Sequence, residues 1–411
     1  MDNVLDILKE RGFFQQCTDE EGLRKLLSEE SVVFYSGFDP TADSLHVGHL
    51  MPVMAMAHLQ KAGHRPIALL GGGTTMVGDP TGKTEMRKLL TREQIEENAK
   101  PIGAQIGRFV DFASGAAMVN NADWLLKLNY IEFLRDIGRH FRVNEMIKAE
   151  TYKMRLERED GLSFIEFNYQ ILQAYDFHWL HANHGCKLQI GGDDQWSNIL
   201  AGIDLTRRLD GKVVYGLTFP LLTTARGEKM GKTVGGAVWL DPQKTSPYEY
   251  YQYWINTDDK DVERFLAFFT LLPMDEVRRL GALEGADIRQ AKEVLAFETT
   301  RLVHGQEEAE KAQQASKAAF GGGGDDFDSM PTSSISGARL TEGVSVVDIF
   351  VEVGLTRSKS ESRRLITQGG AYVEGVQITA ADATLDTSLA KDGALMLRAG
   401  KKKYHRLVIE C

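Results

Sequence analysis

An α/β fold with a parallel sheet, followed by a helical stretch and a small α+β module, is the architecture this sequence predicts, and three observations carry it. Short apolar runs ending in glycine, RPIALLGGG (Arg65 to Gly73) and CKLQIGGDD (Cys186 to Asp194), are each followed by helix-like sequence. That is the rhythm of parallel strands with crossover helices, whose ligands lie beyond the carboxyl ends of the strands. From Ser246 to about Phe320 strand signals vanish, and SPYEYYQYWIN, DVERFLAFFTLL and ADIRQAKEVLAFETTRLVHG read as helices. FGGGGDDFDSMPTSS, Phe320 to Ser334, is rich in Gly, Asp and Ser and reads as a flexible linker before regular structure resumes.

The division that follows is 1–220 for the α/β domain, 221–320 for a glycine-lysine loop with the helical domain, 321–343 for the linker and 344–411 for the tail module. In the tail, SKSESRRLITQGG places Ser358 and Glu361 at capping-box spacing, and Gly369 can stop the helix. AYVEGVQIT and ALMLRAGKKKYHRLVIE read as strands around turns. Lys359 and Arg363 are four apart, and Arg357 and Arg364 seven apart, so the cations share one side of the capped helix. A solvated face is one reading of them. RNA contact, favoured by the nearby GKKKYHR with Lys401, Lys402 and Lys403, is the other.

The 411 residues are 43% hydrophobic and 26% charged, the composition of a globular chain of more than one domain. No apolar stretch approaches the roughly 20 residues of a bilayer span, and MDNVLDILKERGFF at the start is charged throughout. A cytoplasmic protein with no membrane partner is expected. Cys17, Cys186 and Cys411 are odd in number and scattered, suggesting neither a disulfide framework nor a zinc cluster. The net charge of −10 argues against a global field that attracts nucleic acid, but Val344 to Cys411 carries 10 basic against 8 acidic residues. Local patches in the tail are therefore the expected contact.

FDPTADSLHVGHL, Phe38 to Leu50, sets His46 and His49 three apart around Gly48. A metal site is one reading, but neither cysteine nor a nearby carboxylate is spaced to complete the three or four ligands that zinc takes. Core or capping histidines are a second. The third is that the pair opens a helix, LMPVMAMAHLQKAG, closed by Gly63. Pro52 supports this, because proline is tolerated only in the first turn of a helix. At such an entrance unpaired backbone N–H groups attract phosphate, glycine permits close approach, and imidazoles can donate to phosphate oxygens.

Two further stretches nearly match a phosphate-binding loop. GGGTTMVGDPTGKTEMR (Gly71 to Arg87) has three residues between Gly78 and Gly82, and RGEKMGKT (Arg226 to Thr233) has three between Gly227 and Gly231, where that motif needs four. Ordinary Gly-Lys-Thr surface turns are the alternative. Tyr169, Gln173 and Asp176 fall at i, i+4 and i+7, one polar face of a largely apolar helix that either meets water or lines a pocket.

Taken together, PTADSLHVGHL is similar to the HIGH motif and KMGKT, about 180 residues later, to the KMSKS motif of class I aminoacyl-tRNA synthetases. YSGFDPTADSLHVGHL, GDPTGK, FNYQILQAYDF, GGDDQW and KMGKT follow the order of the bacterial tyrosyl-tRNA synthetases, and the tail resembles their S-four-like RNA-binding domain. Val47 stands for the isoleucine of HIGH, and Gly231 and Thr233 for the serines of KMSKS. Both histidines and both lysines remain.

The resemblance implies a Rossmann-like catalytic domain, a helical domain and an RNA-binding module. It also implies ATP with Mg²⁺ as substrate but no tightly bound protein metal, together with L-tyrosine and tRNA(Tyr) as partners, and a homodimer with IEFLRDIGRHF (Ile131 to Phe141) near the interface. By the same resemblance His46, His49, Lys229, Lys232 and Thr233 are catalytic. Gly37, Asp39, Thr41, Gly48, Lys83, Arg87, Gly192 and Asp194 join them around ATP, with Asp194 on the ribose. Tyr35 and Asp176 would pair with the phenol, Tyr169, Gln173 and Asp79 with the α-amino group, and Gln195 would complete the polar lining. Rivals are the tryptophanyl enzyme, an inactive synthetase-derived RNA-binding protein and a P-loop NTPase.

Overall fold

The computed structural model describes residues 3–81, 89–158, 161–225, 227, 230, 232–233, 236–321, 331–341, 343–390, 393–400 and 403–410, with backbone alone at 232–233 and 319–321. Two compact units emerge, one of residues 1–244 and 257–291, the other of 245–256 and 292–411.

The first unit is built on six strands: β1 (Gln16–Cys17), β2 (Val33–Phe38), β3 (Arg65–Leu70), β4 (Ala117–Asn120), β5 (Cys186–Gly192) and β6 (Tyr215–Phe219). Their order is β1-β6-β5-β2-β3-β4, parallel throughout except for β1 at the edge. Parallel strands are covered on both faces, which is why β2 and β3 read as nearly unbroken apolar runs. From β2 the chain winds one way to β3 and β4, while β5 and β6 lie on the other side. The strand order thus reverses between β2 and β5, and a crevice opens beyond their carboxyl ends.

Helices close the faces. Leu50–Lys61 is buried almost all round, as its composition requires, and Pro52 sits in its first turn as expected. Phe164–His184 begins with a reciprocal capping box between Ser163 and Glu166 and ends at Gly185 with φ of 65°. Glu166 also meets Arg155 at 3.1 Å, and both side chains are buried. This pair fixes the start of the helix that carries Tyr169, Gln173 and Asp176.

The boundary expected at residue 220 is not observed. The helix Val262–Phe269 buries Phe265, Leu266, Phe268 and Phe269, and Phe13 meets Phe268 edge-on at 5.4 Å. Arg11 donates to the carbonyls of Ala267 at 2.9 Å and Thr270 at 3.1 Å, and also to that of Leu272, satisfying the orphan groups at the end of that helix. Residues 257–291 therefore complete the α/β unit.

In the second unit Pro247–Ile255 buries Tyr248, Tyr250, Tyr251 and Trp254, so the tyrosine-rich run is helical core. A five-stranded sheet follows in the order Val376–Ile378, Ala371–Val373, Ala394–Ala399, Lys403–Glu410, Thr332–Ser336. The hairpin turn at Glu374 and Gly375 has φ of 51° and 78°, the left-handed pair that a two-residue turn needs. Ser358 caps the helix Lys359–Thr367 and Gly369 follows its end with φ of 70°, as expected.

The linker expectation needs correction. Residues 322–330 lie outside the described residues, but Thr332–Ser336 pairs in parallel with Lys403–Glu410 and Gly337–Thr341 is helical. Ile335 and Leu340, two apolar residues in a polar context, are buried in the core of the module beside Phe350 and Leu407. That burial overrides the local composition. Replacing Arg11 by Met leaves two buried carbonyls and one half-buried carbonyl without this donor and should lower unfolding free energy by about 3 kcal/mol, seen as an earlier first transition in urea. An unchanged midpoint would count against the role of Arg11.

Candidate active site

At the carboxyl end of β2 the chain turns through Val47–His49 into the helix Leu50–Lys61. His46 Nδ1 accepts from the Gly48 amide at 3.0 Å and His49 Nδ1 from the His46 amide at 3.1 Å. Because both Nδ1 atoms are acceptors, both neutral rings carry their proton on Nε2. The rings lie 4.0 Å apart and line one cavity of about 640 Å³. Gly48 is required here for a reason the sequence did not reveal: a Cβ would stand 2.7 Å from His46 Cε1, so the ring itself occupies that space. The second reading of the pair, as caps, is thus half right. The histidines cap the turn through Nδ1, and both rings line the cavity.

The same cavity is also lined by buried polar groups. Asp176 accepts from Trp124 Nε1 at 2.8 Å and from Asn121 Nδ2 at 2.9 Å. Burial nevertheless pushes its carboxyl up to about 8, because two neutral donors do not offset the loss of water. Tyr35 is buried, its phenol pushed well above the ordinary value by burial and by Asp176. Tyr35 OH and Gln189 Oε1 make no hydrogen bond among the described residues, and they sit on paired residues of β2 and β5. Orphaned buried polar atoms in a cavity call for a polar ligand.

In the same lining, Tyr169 OH donates to Asp39 at 2.8 Å, and burial keeps this phenol neutral. Asp79 accepts from Gln195 Nε2 at 2.8 Å, and Asn198 bridges Gln195 to Gln173 at 3.0 and 3.3 Å. Of the two adjacent aspartates after β5, Asp193 is tied to Gln16 and Thr218, whereas Asp194 lines the cavity. Gly37 opens onto it with nothing within 4 Å of where a side chain would begin.

Tyr35, Gly37, Asp39, Thr41, His46, Gly48, His49, Asp79, Tyr169, Gln173, Asp176, Gly192, Asp194 and Gln195 all line this one cavity. Lys83, Arg87 and Lys229 lie outside the described residues, as do the side chains of Lys232 and Thr233. The second glycine-lysine loop does reach the site. Met230 is buried, and its carbonyl lies 3.6 Å from where a Gly48 Cβ would be. Lys232–Thr233 pairs with Gly236–Ala237, and Ala237 and Trp239 line the cavity. Asn121, Trp124 and Gln189 were missed. The first two follow β4 in VNNADW, and their position at the carboxyl end of a parallel strand was the available signal. Lys359, Arg363 and Arg364 on the tail helix are exposed, as is Arg357, which precedes its Ser358 cap and so does not share the helix face expected of it, and Lys359 pairs with Asp348 at 2.9 Å. Lys403 is exposed, while Lys401 and Lys402 lie outside the described residues.

A parallel sheet whose reversal point holds a histidine-capped helix entrance defines a nucleotide-activating α/β enzyme. The family model described as tRNA synthetases class I (W and Y) matches residues 27–321, and this chain belongs to that family. Within it the chain falls among the bacterial tyrosine–tRNA ligases. A model of the tyrosine–tRNA ligase SYY-like C-terminal domain matches residues 324–407. The tyrosine–tRNA ligase of Clostridium botulinum (strain Loch Maree / Type A3) is 57% identical over 411 residues, all of both chains. That of Caldanaerobacter subterraneus subsp. tengcongensis is 56% identical over 409 residues, 99% of this chain and all of the relative. The crystal structure of a C-terminally truncated Aspergillus nidulans mitochondrial tyrosyl-tRNA synthetase, 33% identical, superposes with a TM-score of 0.70 over 78% of this chain and 95% of its own.

The Asp176 carboxyl carries a pH prediction. Its proton is held more tightly in the folded chain than at the ordinary value of 3.8, so its stabilising contribution is present below about pH 4 and lost as pH rises through about 8. Asp176→Asn, isosteric with the protonated form, removes that loss. The unfolding free energy of the ligand-free variant relative to the parent should rise across this window, and a flat difference would contradict the assignment.

Proposed function

We propose that this chain joins L-tyrosine to tRNA(Tyr) in two steps, through tyrosyl-adenylate. The observation that carries the reading is that one cavity is lined both by His46 and His49, at a helix entrance, and by the buried Tyr35 and Asp176. The first suits phosphate oxygens, the second a phenol.

In this reading the phenol hydroxyl of tyrosine pairs with Asp176 and Tyr35, and its ammonium group with Asp79, Gln173 and the lone pairs of Tyr169, whose own proton goes to Asp39. A site built to pair with a hydroxyl rejects the analogue that lacks it, and tyrosyl-tRNA synthetases are the standard illustration of that rule. ATP enters as substrate with Mg²⁺ on its phosphates, its ribose on Asp194 and its phosphates at His46 and His49. The tyrosine carboxylate attacks the α-phosphorus, the bond to the bridging oxygen breaks, and pyrophosphate leaves with the developed charge. Lys83, Arg87, Lys229, Lys232 and Thr233 are assigned to that charge. A hydroxyl of the terminal tRNA ribose then attacks the tyrosyl carbonyl and AMP departs. Alignment and fixed donors suffice, so no protein nucleophile is needed. We assign Arg357, Lys359, Arg363, Arg364 and Lys401 to Lys403 to RNA phosphates, and the enzyme to the cytoplasm. No helix among the described residues is long and apolar enough to cross a membrane.

A homodimer is part of the proposal. The helix Tyr130–Asp136 ends before Gly138, shorter than the eleven-residue helix read from sequence, and has no buried residue. Ile131 is 69% and Phe164 70% exposed, with Tyr130 and Leu134 also open to solvent. Exposed apolar surface of this kind marks an interface, and a second copy of the chain is its natural cover. Phe164→Asp should convert a dimer into a monomer in sedimentation velocity, and a variant that stays dimeric would refute this placement.

Pyrophosphate exchange into ATP, run with each of the twenty amino acids, should occur with tyrosine only. Exchange with tryptophan, or with none, would overturn the reading. His49→Ala should slow adenylate formation by about 100-fold while changing tyrosine affinity by less than about 2-fold. Equal losses in both would refute a role in the transition state.

A further inference from the structure

The stretch that returns from the second glycine-lysine loop does not simply leave the site. Val47 N–H donates to Val238 O at 2.9 Å and Leu240 N–H to Leu45 O at 2.9 Å, so His46 and Trp239 face each other as an isolated antiparallel bridge. Across that bridge the Trp239 indole meets the His46 imidazole edge-on, with centroids 6.0 Å apart and planes at 69°. Lys244 Nζ lies 5.1 Å from the centroid of the same indole and pairs with Asp43, three residues before His46. Thus an indole, held by a cation and flanked by two backbone bonds, stands against a ring that lines the cavity.

We infer that Trp239 is a positioning residue for His46. The Gly48 amide bond to Nδ1 fixes one edge of the imidazole, and the rings packed beside it set the tilt about that bond. His49 limits the tilt from one side at 4.0 Å, and Trp239 limits it from another. The indole also joins two signatures that are far apart in sequence. Trp239 follows directly on the paired segments Lys232–Thr233 and Gly236–Ala237, so a displacement of that hairpin is transmitted to the orientation of His46. Aromatic edge-on pairs contribute modestly to stability. Their larger effect here is geometric, because a donor misplaced by a fraction of an ångström loses its bond to a reacting phosphate.

This inference rests on the reading of His46 as a phosphate donor, and a double-mutant cycle on the full chain separates the two. Trp239→Leu should lower the turnover of tyrosine-dependent pyrophosphate exchange by about 10-fold or more, with tyrosine affinity by equilibrium dialysis unchanged within about 2-fold. Trp239→Phe, which keeps an aromatic edge, should recover most of the rate. In a His46→Ala background Trp239→Leu should cost nothing further, since the group it positions is gone. Lys244→Met, which releases the outer face of the indole without emptying its place, should show a smaller loss that also vanishes in that background. Losses that multiply in either double variant would overturn the positioning role while leaving the phosphate role of His46 intact. Full activity of His46→Ala alone would overturn the phosphate role itself.

Discussion

Two imidazoles whose Nδ1 atoms accept backbone amides set the terms for the rest of the catalytic unit. The bonds from Gly48 and His46 choose the tautomer, placing the ring proton on Nε2 of each imidazole. Everything upstream serves that placement. Gly48 must lack a side chain, and Pro52 must fall in the first helical turn. Downstream, the same turn receives Val238 and Leu240, so the second signature is built against the first.

The buried carboxyl of Asp176 obeys the opposite logic. At the helix entrance amide dipoles and N–H groups favour negative charge. Around Asp176 burial disfavours it, and the Asn121 and Trp124 donors only partly compensate. The proton is therefore held on Asp176 to a higher pH than on an exposed carboxyl. Trp124 itself is held by stacking on Trp179 at 3.9 Å, which keeps the donor aimed.

The strands, the helix entrance, the tail hairpin and its capped helix were legible because each is announced within a few residues by periodicity, glycine or a capping pair. Fourteen described site positions named from motifs line one cavity for a related reason: each motif sits at the carboxyl end of a strand or on one helix face. What escaped notice depends on partners distant in sequence. Asn121 and Trp124 matter only because Asp176 lies beside them. Gln189 reads as an ordinary strand residue until its pairing with Tyr35 is known. Ile335 and Leu340 looked like strays in a polar segment because the sheet edge and core they enter are formed by residues about seventy positions further on.

The Arg11 contact spans 256 positions, since the guanidinium grips carbonyls of the helix Val262–Phe269. The α/β unit is thus discontinuous, with residues 245–256 belonging to the other unit. During synthesis, then, the amino-terminal helix emerges long before its partner is translated. A buried cation must wait in water or with a chaperone until the ribosome has delivered the stretch that receives it, and the nucleotide-binding layer cannot lock as a vectorially folded domain.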